Sequence, residues 1–188
     1  MANVQDVAKF FIDLAQKQEQ QQSGDLVTNL RLQKLLYFAQ GWCLARYDKP
    51  LFDAPIEAWK FGPVVREVYN KYNVNLANGI SSDARIASDA LTAEEMELLL
   101  DVVRAYDGYS TKTLVDISHA PDGPWAKRGR SEEISTDEIK KYFKAQPPLP
   151  SFSDLLAKQE VVIPDRDANG NAVLPADFDE DWGEYDAD

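Results

Sequence analysis

The sequence has very few of the residues on which cross-links and catalysis depend, with one cysteine and one histidine in 188 residues. A single cysteine cannot form an internal disulfide, and this usage fits a reducing cytoplasm. No apolar run approaches the roughly 20 residues that a membrane-spanning helix needs, and the N-terminus lacks the basic and then apolar pattern of a signal peptide. We therefore expect a cytoplasmic protein without membrane contacts.

The sequence motifs of enzymatic chemistry are also missing. The sequence contains no Gly-x-Ser-x-Gly elbow, no phosphate-binding glycine loop and no cluster of His and Cys ligands. The single histidine, His119, precedes Ala120-Pro121, where a helix cap or a packing role is commoner than half of a catalytic dyad. Cys43 falls on the apolar face of a helical stretch, where cysteine usually acts as a small hydrophobic residue. We expect no enzyme, no catalytic residue and no cofactor.

Basic residues are scarce as well, 20 against 32 acidic ones, which gives a net charge of −12. Residues 165–188 hold nine of the acids and one base, whereas the rest of the chain carries 23 acids and 19 bases. Nucleic-acid binding depends on basic groups that displace counterions from phosphates, so we expect no direct contact with nucleic acid. A basic protein partner suits the acidic terminus better.

The longest helical stretch, residues 28–47, is apolar almost all the way round. At helical spacing one face combines six apolar residues: Leu32, Leu35, Leu36, Ala39, Trp42 and Cys43. A second face contains Leu30, Tyr37 and Leu44, and only Gln33 and Gln40 form a clean polar strip. A helix with two apolar faces must be buried on two sides, so this one is expected at the centre of the fold.

Five further helices are predicted around the central one. Apolar spacing indicates a helix over residues 4–20, and Pro63 is placed to begin one at its first helical position. A Thr-x-x-Glu capping box begins a helix at residue 92, Ser110 can cap a short helix, and Ser135 with Glu138 repeats the capping-box spacing. Residues 56–61 have room for one short strand. The fold class is therefore mainly α, one helical domain over residues 1–145.

Residues 146–188 form an extension that begins with a proline-containing linker. Short β-prone runs flank Asn169-Gly170, which suggests a hairpin. Residues 165–176 place oxygen-bearing side chains at three positions of a calcium loop, but position 12 is Ala176 instead of glutamate, and whether the segment binds calcium stays open. Beyond it, acids alternate with Phe178, Trp182 and Tyr185, hereafter the tail aromatics. Such a composition does not fold alone, and it either recognises a partner or stays a solvated terminus.

Several segments together resemble a known family. LQKLLYFAQGW at 32–42, PLF at 50–52 and IEAWKFGPVV at 56–65 are similar to the Panacea (SocA-like, GepA-like) antitoxin domain, and later pieces follow in order to about residue 145. The positions that carry the resemblance are treated as structural: Leu32, Gln33, Leu35, Leu36, Trp42, Trp59, Gly62, Pro63, His119, Pro124 and Trp125.

The resemblance implies an antitoxin that neutralises a cognate protein toxin by direct protein–protein binding. The alternatives are an acidic decoy that occupies a nucleic-acid-binding surface, and an adaptor that delivers a bound partner to a protease. Candidate partner-binding residues are Lys34, Tyr37 and the tail aromatics. For Lys34 the competing interpretation is a structural lysine that reaches water or pairs with an acid such as Glu57. The toxin's identity, the stoichiometry and homo-oligomer formation stay open.

Overall fold

The structure is a computed structural model that describes residues 1–22, 24–75, 78–81, 86–87 and 89–151. This part of the chain contains six α-helices, one two-stranded sheet and two short 3-10 turns, so the mainly α fold class is confirmed. The helices are α1 (Val4–Gln20), α2 (Asn29–Tyr47), α3 (Arg66–Tyr72), α4 (Ala93–Tyr106), α5 (Thr111–Ser118) and α6 (Thr136–Lys144). The strands are β1 (Glu57–Trp59) and β2 (Gly62–Val64), and the 3-10 turns are Asn73–Asn75 and Trp125–Lys127.

Helix α2 lies at the centre, as its two apolar faces predicted. Fourteen of its 19 residues are buried, and it contacts every other α-helix and strand β2. Thr28 caps its first turn by accepting a hydrogen bond from the Arg31 N–H, and the helix ends at Asp48, which has a left-handed φ of 58°. Gly41 lets α6 approach closely, because a Cβ there would lie 2.3 Å from the Phe143 ring. The core is therefore assembled around one helix.

Two of the three caps predicted from the sequence, at Thr92 and Ser110, are present, and Asn3 caps α1 as well. Asn3 and Ser110 accept hydrogen bonds from backbone N–H groups of the first turn, and Thr92 forms the full capping box. The prediction for α6 was wrong, since the Ser135 side chain makes no cap hydrogen bond. The Glu138 carboxylate pairs with the Arg128 guanidinium and also accepts a hydrogen bond from the Ser135 backbone, so only the Glu138 half of the box is present.

The segment between α2 and α3 is a hairpin, which corrects two expectations. Residues 56–61 were expected to give one strand, but β1 pairs with β2 antiparallel, with Trp59 opposite Gly62. Pro63 was expected to begin a helix, but it lies in β2, and α3 begins three residues later at Arg66. Gly62 permits the turn because its φ is +99°, a value that favours glycine.

The residues that directly follow residue 145 also contact the helices, through the Leu149 and Pro150 carbonyls. The Arg46 guanidinium donates to the Leu149 carbonyl at 3.0 Å, and the Arg104 guanidinium donates to the Pro150 carbonyl at 2.8 Å. The hairpin predicted around Asn169-Gly170, the calcium-loop candidate and the tail aromatics lie outside the described residues. They remain predictions from the sequence.

Candidate functional site

The polar strip of α2 holds the extended segment that follows it. The Gln40 Oε1 accepts from the Leu51 and Phe52 N–H groups at 2.9 and 3.3 Å, and its Nε2 donates to the Phe52 carbonyl at 3.0 Å. The Gln33 Oε1 accepts from the Val65 N–H at 2.9 Å. Both amides are buried, so the polar strip faces a second piece of backbone. This arrangement satisfies backbone groups that a two-stranded sheet alone leaves unpaired.

Lys34 lies beside the polar strip and is the most unusual side chain of the core. Its exposed fraction is 0%, and its Nζ donates to the Pro63 carbonyl at 2.8 Å. The proposed acid partner, Glu57, pairs with Arg66 instead, so that part of the sequence interpretation was wrong. Burial lowers the pKa of Lys34 to about 7. The lysine is therefore a structural donor that holds β2 against α2.

Ser118 and His119 at the end of α5 lie beside Gly62, on the side that also faces Lys34. A Cβ at Gly62 would come within 2.5 Å of the Lys34 Nζ, 2.6 Å of the Ser118 Oγ and 3.2 Å of the His119 Nε2. The Ser118 hydroxyl donates to the Val115 carbonyl at 2.8 Å, and the His119 Nε2 is buried without a hydrogen-bond partner among the described residues. Burial and the neighbouring Lys34 both lower the pKa of His119. Only a glycine fits among these groups.

His119 also connects this cluster to the outer face of the hairpin. Its ring stacks on Trp125 with ring centres 3.7 Å apart and planes 11° apart. The Trp125 indole N–H donates to the Trp59 carbonyl at 2.9 Å. The last residue of β1 is thus fixed by contacts that begin at α5. Trp42 is buried, and Trp59 and Trp125 are partly buried.

A groove of about 710 Å³ opens on the outer side of the hairpin. We name it the hairpin groove and define it by six of its lining residues: Trp59, Lys60, Phe61, Arg66, Tyr69 and Arg130. Its aromatic part is built by Trp59 and Tyr69, whose ring centres are 4.9 Å apart, and by Phe61, which is 57% exposed. The Arg66 guanidinium lies 5.2 Å from the Trp59 ring centre and binds both carboxylate oxygens of Glu57. The groove combines aromatic surface with positive charge.

The structure places the sequence-predicted partner residues in two different settings. Lys34 and Tyr37 are 0% and 2% exposed, so in this fold neither can form the surface contact expected of it. Tyr37 packs instead against Phe143, with ring centres 5.4 Å apart, because it lies on the second apolar face of α2. The tail aromatics lie outside the described residues. The positions that carry the resemblance surround the hairpin or fill the core.

Sequence reasoning missed the groove itself. Phe61, Arg66 and Arg130 come from a turn, a helix start and a distant loop, and no periodicity connects them. The available signal was Lys60-Phe61 directly before Gly62, since a large apolar residue in a tight turn has little chance of being buried.

The chemistry of the remaining candidates is limited by burial. Burial raises the pKa of the Cys43 thiol to about 11, so it is protonated at neutral pH. Within the described ranges, no three His, Cys, Asp or Glu side chains lie close enough together to hold a metal ion. None of the helices described is both long and apolar enough to cross a membrane.

The architecture thus defines a class: a helical domain in which a central buried helix binds an extended hairpin through polar side chains. The family model described as "Antitoxin SocA-like, Panacea domain" matches residues 32–126, half of the chain. The chain belongs to this SocA-like Panacea-domain family. The match runs from α2 through the hairpin to Trp125, so it covers most of the site described above.

One relative supports the same assignment. The chain is 37% identical over 112 residues to "Antitoxin SocA" of Caulobacter vibrioides (strain NA1000 / CB15N), which covers 53% of this chain and 58% of that protein. The chain therefore spans a little over half the length of this curated relative. No solved structure matches the chain.

Proposed function

We propose that this protein is an antitoxin that neutralises a cognate protein toxin by binding it directly, without catalysis, in the cytoplasm. The observation that carries the proposal is the family match over residues 32–126, together with a relative whose name is "Antitoxin SocA". The site adds physical support. The conspicuous surface of the described part is a groove with exposed aromatic and basic groups, which is suited to protein contacts.

We propose that two surfaces of this protein contact the toxin. The hairpin groove offers aromatic anchors on a fixed backbone. The tail aromatics and the acids around them provide a second contact, because carboxylates steer a basic partner while aromatic side chains supply buried area. Lys34 and Tyr37 support the scaffold from inside and are not proposed as contacts.

Co-expression tests the proposal. The product of the neighbouring reading frame should arrest growth when it is expressed alone, and growth should recover when this chain is expressed with it. The two proteins should then co-elute in size-exclusion chromatography at a fixed ratio. Failure of the chain to restore growth, or restoration without a complex, would contradict direct neutralisation.

The same experiment separates the alternatives. An adaptor for a protease would lower the toxin level on an immunoblot, whereas simple neutralisation leaves that level unchanged. A decoy that acts mainly by charge would lose most of its affinity as ionic strength rises, because exposed charges are screened within about 10 Å at 0.1 M salt. An interface with aromatic anchors should lose less.

A further inference from the structure

We infer that the hairpin groove binds an extended, acidic segment of the toxin that carries at least one large apolar side chain. The inference rests on the proposed function, since the segment is assigned to the toxin. It adds the place on this chain where the segment binds and the chemistry that recognises it.

The need for an apolar side chain follows from the exposed aromatic surface. Phe61 is 57% exposed at the tip of the hairpin, whereas Tyr37, Phe38 and Trp42 of α2 are buried. The groove beside it, at about 710 Å³, lies within the usual range of roughly 300–1,000 Å³ for binding pockets. Exposed aromatic surface next to a concave space is typical of positions that carry much of the binding energy in protein interfaces. An apolar side chain of the partner would cover Phe61 and the Trp59 edge.

The acidic character follows from the charges of the groove. Three of its twelve lining residues are basic and none is acidic, in a chain with 32 acids and 20 bases. Lys60 and Arg130 pair with no carboxylate among the described residues, and an adjoining recess lined by Lys60, Arg128 and Arg130 contains no acid either. Positive charge is thus concentrated at this surface, and a segment with carboxylates is its electrostatic complement.

A nucleic acid fits these charges less well than a peptide does. Arg128 and Arg66 already bind Glu138 and Glu57, which leaves Lys60 and Arg130 as the unpaired cations of the described groove. Affinity for nucleic acid grows with the number of phosphates neutralised, and two cations on a protein of net charge −12 supply little of it.

Recognition through side chains, and not through strand addition, follows from the backbone. The outer edge of β1 is already occupied, because the Ala58 N–H donates to the Glu132 carbonyl at 2.8 Å and the Ser131 N–H donates to the Ala58 carbonyl at 2.7 Å. On the other side, Gln33 and Lys34 bind the backbone of residues 63–65. A partner therefore meets fixed side chains instead of a free strand edge, and little ordering entropy is lost on this side.

The first test uses peptides and the full-length protein. The probe is a fluorescein-labelled twelve-residue peptide of Asp and Glu with one Trp and one Phe. Its companions are a peptide with both aromatic residues changed to Ala, a peptide with the acids changed to Lys, and a twelve-nucleotide single-stranded DNA. Fluorescence anisotropy should show the tightest binding for the acidic aromatic peptide. No binding of that peptide, or tighter binding of the DNA, would overturn the inference.

The variant that removes the groove chemistry combines Lys60→Glu, Phe61→Ser and Arg130→Glu. All three positions are exposed, so the fold should be retained, as circular dichroism would show. The matched control combines Leu100→Ser, Lys112→Glu and Lys141→Glu, which make the same kinds of change at exposed positions of α4, α5 and α6. The groove variant should bind the peptide at least about tenfold more weakly, and the control should bind it like the parent. Equal affinities for parent and groove variant would overturn the inference.

The second test uses the toxin and separates this inference from the proposed function. Calorimetry should show at least about tenfold weaker toxin binding by the groove variant than by the control. If the parent protects cells and both variants bind the toxin equally, the groove inference fails and the antitoxin function stands. If the parent fails to protect cells, the function fails and the groove's assignment to a toxin segment fails with it.

Discussion

The buried lysine of α2 predicts an unusual dependence of stability on pH. Burial lowers the pKa of Lys34 from 10.5 to about 7. Between these values the unfolded chain binds a proton at this residue and the folded chain does not, so the free energy of unfolding rises with pH. The destabilising effect is complete below pH 7 and disappears above pH 10.5. With these two pKa values the free energy of unfolding should rise by about 2 kcal/mol between pH 7 and pH 9.

The perturbation that isolates this effect is Lys34→Met, which keeps the length of the side chain and removes the amine. The variant leaves the Pro63 carbonyl without its donor, which costs about 1–3 kcal/mol, and it also removes a buried amine, which offsets part of that cost. The net change at one pH is therefore not diagnostic. The diagnostic quantity is the free energy of unfolding of the parent minus that of the variant, which should rise by about 2 kcal/mol from pH 7 to pH 9.

The assay is urea unfolding of both proteins at half-unit steps of pH. Cys43 and the buried tyrosines have raised pKa values and reduce stability at high pH, but they are present in both proteins and cancel in the difference. Lys112→Met is the matched control, because the Lys112 side chain is 85% exposed and pairs with Asp116. A parent-minus-variant difference for Lys34→Met that stays flat from pH 7 to pH 9 would refute the reasoning.

Three further predictions concern the hairpin and the tail. Gly62→Ala should destabilise the fold by about 2–4 kcal/mol in urea unfolding, because the new Cβ would contact the Lys34 amine and the φ of +99° is unfavourable for alanine. Gly108→Ala is the control, since a Cβ there meets open space, and it should change stability by less than about 1 kcal/mol. Trp125→Phe should cost about 1–2 kcal/mol and accelerate amide exchange in the hairpin, since the Trp59 carbonyl loses its donor. Alanine at all three tail aromatics of the full chain should weaken toxin binding in calorimetry with an unchanged melting temperature, and parental affinity would refute the recognition role of the tail.

The centre of the fold could be predicted from the sequence, whereas the partner of its polar strip could not. Apolar residues at helical spacing on two faces leave α2 no stable place except the interior. Gln33 and Gln40 instead suggested that one strip of α2 faces solvent, because amide side chains are usually exposed to water. They are buried because the segment after Pro50 has few strand partners of its own, and the amides satisfy its backbone N–H and C=O groups. That pairing is non-local and leaves no periodic pattern.

The hairpin shows why a correct local rule gave a wrong element. Proline is favoured at the first position of a helix, so Gly62-Pro63 predicted a helix start. In the structure Pro63 pairs with Ala58 in the sheet and its carbonyl accepts a hydrogen bond from Lys34. These tertiary contacts keep Pro63 in the strand, so the helix begins only at Arg66. The groove depends on this position of the helix start, because a helix that begins at Arg66 places the Arg66 guanidinium beside Trp59.

The two neighbouring residues Gln33 and Lys34 connect the core to the groove. Gln33 accepts from the Val65 N–H and Lys34 donates to the Pro63 carbonyl, so adjacent side chains of the central helix hold both ends of the segment that follows the hairpin tip. A methionine at residue 34 can fill the same space but cannot bind that carbonyl, and an exposed lysine would leave it without a donor. The cost of burying the amine is therefore tied to the position of Phe61, because Lys34 and Gln33 hold the backbone that follows this turn. The Trp59 carbonyl before the turn is held by Trp125. The stability of the domain and the recognition proposed for the hairpin groove then depend on the same hydrogen bond.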